Sequence, residues 1–138
     1  MLRVLRVYIW GISLVATSAA AGPSSYNREI RPLLADHCFA CHGPDAGHRK
    51  GGLRLDRRED ALQPADSGRP AIVPGRPDES ELVARLFSTQ ADDVMPPPDS
   101  HKTLTAEQKE RIRGWIEAGA PYEAHWAYTP VVRHRCPP

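Results

Sequence analysis

The run Cys38-Phe39-Ala40-Cys41-His42 restricts this chain more than any other stretch. Two thiols stand two residues apart and an imidazole follows at once, so whatever the motif grips meets sulfur and nitrogen together. A zinc site needs four ligands, commonly as two spaced pairs. Here a second pair is missing: Cys136 is distant and the remaining histidines are scattered. A thioredoxin-like dithiol follows a strand in a βαβ unit, and the sequence shows no such unit. A structural disulfide across two residues closes almost no chain and stabilises little.

C-x-x-C-H is also the attachment signature of c-type haem. On one turn of helix, the sulfurs of Cys38 and Cys41 can reach the two vinyl groups at one edge of the macrocycle. His42 then projects over the ring as proximal iron ligand. This use predicts one covalent haem c per chain, and it agrees with the N-terminus. Arg3 and Arg6 precede an apolar stretch from Val7 to Ala16, and Ala19 and Ala21 fit an A-x-A cleavage site. Residues 1–21 therefore read as a signal peptide cut near Ala21, with export to the periplasm or beyond. The apolar stretch is shorter than the roughly 20 residues that cross a bilayer, so no membrane span is expected in the mature chain. Without Arg3 and Arg6 the balance is 16 basic against 17 acidic residues, which removes any electrostatic case for nucleic-acid binding.

The mature chain reads as a single domain over residues 22–126, followed by an extended or disordered tail over 127–138. With 14 Pro and 10 Gly, it predicts an all-α fold: three or more short helices, joined by long loops. The first helix is expected from about Asn27 to Ala40, with Tyr26, Ile30, Leu33, Leu34 and Cys38 on one face. The second lies in "PDESELVARLF", with Asp78 as N-cap, Glu81 at the reciprocal position, and Leu82, Val83, Leu86 and Phe87 as its buried stripe. The third lies in "LTAEQKERIRGWIEAGAP". Thr105 and Gln108 form a capping box, Ile112, Trp115 and Ile116 face inward, and Gly119 and Pro121 end the helix. Gly114 weakens its interior or admits a close neighbour. Leu53 and Leu55 alternate as in a short extended piece. Three short helices bury few side chains for this length, so something else must supply apolar volume. A haem does.

Met95 is the only methionine left after the signal, and it is the expected distal ligand. It stands outside any helical apolar stripe, and Pro96, Pro97 and Pro98 stiffen the chain behind it. A weakly binding thioether loses less entropy when its loop is held beforehand. The competing ligands are His37, His48, His101, His125 and His134, with His101 the main rival. Arg49, Lys50, Arg54, Arg57 and Arg58 read as a solvated basic loop rather than a docking patch or partners for haem propionates.

Five stretches, "YNREIRPLLADHCFACHGPD", "KGGLRLDRREDAL", "IVPGRPDESELVARL", "DDVMPPP" and "LTAEQKERIRGWIEAGAPY", together resemble the planctomycete-type cytochrome c domain over about Tyr26 to Trp126. The resemblance implies a class I cytochrome c fold with N- and C-terminal helices crossing beside the haem. By position, Cys38 and Cys41 match the thioether cysteines, His42 the proximal ligand and Met95 the distal ligand. Relatives commonly carry the domain at the start of a longer exported protein. The last residues of this chain, in "HWAYTPVVRHRCPP", depart from the family's proline-rich continuation, and Cys136 has no expected partner. The function implied is single-electron transfer to and from redox partner proteins, with no catalytic residue of its own. The alternatives are a haem sensor or peroxidase-like enzyme with an open distal site, and an electron-relay module of a larger enzyme.

Overall fold

Between Tyr26 and His42 the chain is helical but changes register twice. The computed structural model describes residues 24–124; the expected signal peptide, His125, His134, Cys136 and the tail lie outside the described residues. Tyr26–Ile30 forms a π-turn in which the Arg31 N–H reaches back to the Tyr26 carbonyl. Helix α1, Arg31–His37, then begins with Pro32 in its first turn, where a missing N–H costs nothing. Cys38 leaves helical geometry at φ −124°, and α2, Phe39–His42, resumes beyond it. The single helix expected over Asn27–Ala40 is thus three short pieces, and its predicted face holds. Tyr26, Ile30, Leu34 and Cys38 are buried, with Leu33 packed beside them.

Helix α3, Arg58–Ala61, is a single turn that the sequence reading missed. It is too short to show a 3.6-residue period. No strand occurs among the described residues, and the extended piece expected at Leu53 and Leu55 is loop. Leu55 is nevertheless fully buried.

Helix α4, Glu81–Leu86, corrects the second expectation. Asp78 is not its N-cap: it lies inside a 3₁₀ turn, Pro77–Glu79, and Ser80 holds the N-cap position. The Ser80 hydroxyl does not cap the helix either. It accepts from the Val73 N–H at 2.9 Å and donates to the Arg76 carbonyl at 3.0 Å, tying the preceding loop to the helix start. Phe87 is 42 % exposed rather than part of the buried stripe. The helix ends at Leu86, so Phe87 swings off the stripe and lies 5.8 Å from the Lys109 ammonium.

Helix α5, Ala106–Glu117, follows the sequence closely. Thr105 and Gln108 make the reciprocal capping box, and Ile112, Trp115 and Ile116 are buried. Gly119 takes the left-handed conformation at φ 97° that stops the helix. Nothing approaches Gly114 within 4 Å of a notional Cβ, so that glycine serves no close packing.

Helix α5 packs against the Tyr26–Ile30 turn, α4 and the Pro77–Glu79 turn. The Tyr26 and Trp115 rings stack with centroids 5.7 Å apart, and Tyr122 closes the cluster at 4.5 Å from Tyr26 and 5.2 Å from Trp115. Burial pushes the Tyr26 hydroxyl up to about 12. Trp115 Nε1 donates to the Pro121 carbonyl at 3.2 Å, and the Tyr122 hydroxyl donates to the Leu55 carbonyl at 3.1 Å.

The first helical turn is capped from the other end of the described chain. The Glu123 carboxylate accepts from the Ser25 hydroxyl at 3.0 Å, the Tyr26 N–H at 3.1 Å and the Asn27 N–H at 3.2 Å. The two N–H groups are free donors of a helix start, where negative charge is favoured. Desolvation is the largest single influence and opposes ionisation, but the hydrogen bonds from Asn27, Ser25 and Tyr26 together outweigh it and hold the carboxyl below its ordinary value.

Two outcomes follow. Glu123→Gln lowers the denaturant midpoint at neutral pH. Because the folded carboxyl titrates below the unfolded one, its contribution is present above the unfolded value and lost as pH falls through the folded one. The midpoints of variant and parent therefore converge in acid. Trp115→Ala, by contrast, empties the aromatic cluster and costs roughly 3–5 kcal/mol, measured by denaturant unfolding.

Candidate functional site

The loop after the C-x-x-C-H motif folds back on it through the backbone. The Lys50 N–H donates to the Cys41 carbonyl and the Leu55 N–H to the His42 carbonyl, each at 2.8 Å. A third bond runs from the side chain: His42 Nδ1 lies 3.2 Å from the Lys50 carbonyl. A carbonyl only accepts, so Nδ1 carries the proton in this bond and Nε2 keeps its lone pair. Burial pulls the His42 imidazole below its ordinary value, the Lys50 bond works against that, and the Arg85 charge adds to it. The result is a neutral ring with one nitrogen free to coordinate.

Cys38 is buried and Cys41 half-buried, and both are free thiols. Burial pushes the Cys38 thiol up to about 12, against the pull of Lys102. Cys38 is therefore not an acidic redox thiol of the kind with a lowered pKa.

These residues line a cavity of about 580 Å³, within the roughly 300–1,000 Å³ of small-molecule sites. Leu53, Leu55, Ala71, Leu82 and Leu86 form much of its apolar wall, and Met95, Pro96 and Pro97 line it too. Met95 comes from far along the chain and is fixed there by its N–H, which donates to the Arg85 carbonyl at the end of α4 at 3.1 Å. Of the competing histidines, His37 also lines the cavity, but its Nδ1 is turned onto the Leu33 carbonyl of its own helix at 2.9 Å. His48 is exposed and bonded to Asp45. His101 is exposed, with φ 54°, and is not among the lining residues.

The residues suit a haem. Two free thiols stand at the start of the single turn α2 and within it, an imidazole keeps Nε2 unprotonated, and a thioether lines the same cavity. No group of three or more His, Cys, Asp or Glu fit to hold a bare metal ion occurs among the described residues.

Residues 38–99 match the family model described as Planctomycete cytochrome C. This stretch of the chain is similar to that family. The match opens at Cys38 itself and closes just beyond Pro98, so it contains the C-x-x-C-H motif and Met95 and stops short of α1 and α5. No curated protein and no solved structure matches the chain. The similarity points to a haem-binding domain of electron transfer, and the described residues are helical and without strands. No helix among those residues is long and apolar enough to cross a membrane.

The basic loop is largely neutralised. Arg54 pairs with Asp56 and Asp60, Arg57 with Glu59 and Asp60, and Arg49 donates to the Gly43 and Pro44 carbonyls. Only Lys50 of that group lines the cavity. The cations that sequence reasoning missed there are Arg85 and Lys102, together with the acids Asp66 and Glu81. The four-residue spacing of Glu81 and Arg85 was a readable signal for a pair, but nothing local said that it faced a cavity.

Gly51 and Gly52 turn the chain at the cavity rim with φ near +62° and +63°. A Cβ on Gly51 meets nothing within 4 Å, whereas one on Gly52 would stand 2.6 Å from Asp66 Oδ1. Gly51→Ala should therefore cost about 1 kcal/mol, from the left-handed backbone alone. Gly52→Ala should cost more and displace the Asp66 carboxylate at the cavity. Comparing the unfolding midpoints of the two variants checks the difference.

Proposed function

We propose that the protein is an exported carrier of single electrons, built around one covalent haem c with histidine and methionine as axial ligands. The observation that carries this reading is that the Cys38, Cys41 and His42 motif and the distant Met95 line one apolar cavity. Cys38 and Cys41 would hold the ring by thioether bonds. His42 would take the proximal position through Nε2, oriented by the Lys50 carbonyl, as outer partners orient metal-bound histidines. Met95 would take the distal position. When bound, the haem supplies one-electron chemistry, with its iron passing between Fe(III) and Fe(II).

The chain's own contribution is to exclude water with the leucine wall and to fix both ligands. A thioether ligand raises the potential. With both axial positions taken, no substrate reaches the iron, and the protein acts through redox partners rather than as a catalyst. Export follows from the signal-like residues 1–21 and from the need to attach haem outside the cytoplasm.

The test is an absorption spectrum of protein exported with haem maturation, in both oxidation states, before and after Met95→Ala. The expected result is haem retained under denaturing conditions and a weak near-infrared Met–Fe(III) band that Met95→Ala abolishes. Ready CO binding by the reduced variant, but not by the parent, should accompany the loss. Cys38→Ala with Cys41→Ala should release the haem on denaturation. A band that survives Met95→Ala, or a parent protein without covalent haem, would overturn the reading.

A further inference from the structure

We propose that Arg85 is a positioning residue for Met95, itself held by Glu81 and Ser67; the assignment rests on the reading of Met95 as distal ligand. Arg85 touches the distal loop twice. Its carbonyl accepts the Met95 N–H at 3.1 Å, and its Nη1 lies 3.8 Å from Asp93 Oδ1, two residues before Met95. The same guanidinium donates twice to Glu81 Oε1, from Nε at 2.9 Å and from Nη2 at 2.7 Å. The other carboxylate oxygen, Oε2, accepts from the Ser67 hydroxyl.

Glu81 is the one buried charged residue among those described, 9 % exposed. A carboxylate so placed is stable only when paired and hydrogen-bonded, so its position dictates the rotamer of Arg85. Ser67, Glu81, Arg85 and Met95 all line the cavity. A well-packed apolar pair would stabilise α4 as well as this ion pair does. What an apolar pair lacks is direction: the guanidinium fork locks one geometry, and that geometry reaches Asp93. The loop that carries Met95 is thereby ordered before any ligand bond forms, which reduces the entropy lost when a weak thioether binds.

The experiment is imidazole titration of the Fe(III) protein, exported with haem maturation, with the near-infrared Met–Fe(III) band as readout. Removing Arg85 alone strands the Glu81 carboxylate and risks the fold, so the variant is Glu81→Gln with Arg85→Gln. It should lose its Met95 bond at about tenfold lower imidazole than the parent, the scale seen when outer-shell partners are removed. Arg85→Lys, which keeps a cation near Asp93 but no fork, should fall between. Asp93→Asn, in an exposed loop, should shift the same way by less. Equal imidazole sensitivity in parent and double variant, even with a lowered unfolding midpoint, overturns the assignment and leaves the Met95 reading intact. A parent protein that lacks the band overturns both.

Discussion

The return of residues 50–55 onto the C-x-x-C-H motif is the constraint on which the site depends. Two backbone bonds, from Lys50 to Cys41 and from Leu55 to His42, stitch a loop with no regular structure against the helical turn of the motif. The third bond, from His42 to the Lys50 carbonyl, sets the tautomer of the imidazole. Loops usually leave such groups to water. Here the backbone of the loop becomes a wall of the cavity, and Gly51 and Gly52 supply the left-handed residues that let it turn at the rim. The same segment is tied outward, since the Leu55 carbonyl accepts the Tyr122 hydroxyl. The His42 wall is thus continuous with the aromatic cluster of Tyr26, Trp115 and Tyr122.

The two walls of the cavity are held by different means. On the His42 side, three hydrogen bonds fix a short segment that is close in sequence. On the Met95 side, the chain has no helix or strand to stand on, and it hangs from the end of α4 by one backbone bond and the Arg85 guanidinium. The prolines that follow contribute stiffness without donors of their own. On the proposed reading such a division would suit unequal ligands: an imidazole binds firmly and needs only orientation, whereas a thioether binds weakly and needs its position arranged in advance.

Much of this was legible in the sequence where a signal is local. The capping box of Thr105 and Gln108, the inward face of α5 and the stop at Gly119 are each encoded within a few residues and appear as read. The motif at Cys38 to His42 was equally local, and its three functional side chains line the cavity. What misled was local plausibility overridden by a tertiary partner. Asp78 and Glu81 have the spacing of a cap and its reciprocal, yet Pro77 winds Asp78 into a 3₁₀ turn and Glu81 turns to Ser67 and Arg85. Phe87 continues the apolar period of α4 by one residue, but the helix stops before it. The role of Glu123 was not legible, because it acts on residues far away in the chain, and nothing local showed that the Glu81 and Arg85 pair faces a cavity.

The extent of the family match follows a physical division in the molecule. Nearly every residue that lines the cavity falls within 38–99, the stretch that matches the planctomycete cytochrome C model. The residues that close the core against it, Tyr26, Ile30 and Leu34 on one side and Ile112, Trp115 and Ile116 on the other, fall outside that stretch. Chemistry demands particular atoms: sulfur at two positions, an imidazole after them, left-handed glycine at a rim. A core demands apolar volume of about the right shape and tolerates many side chains that provide it. The flanking helices can therefore serve the site without carrying its signature. They do so by burying the back of the first helical run, which carries Cys38, and by capping its start with Glu123. The motif is thus held from behind by packing that only the folded structure brings together.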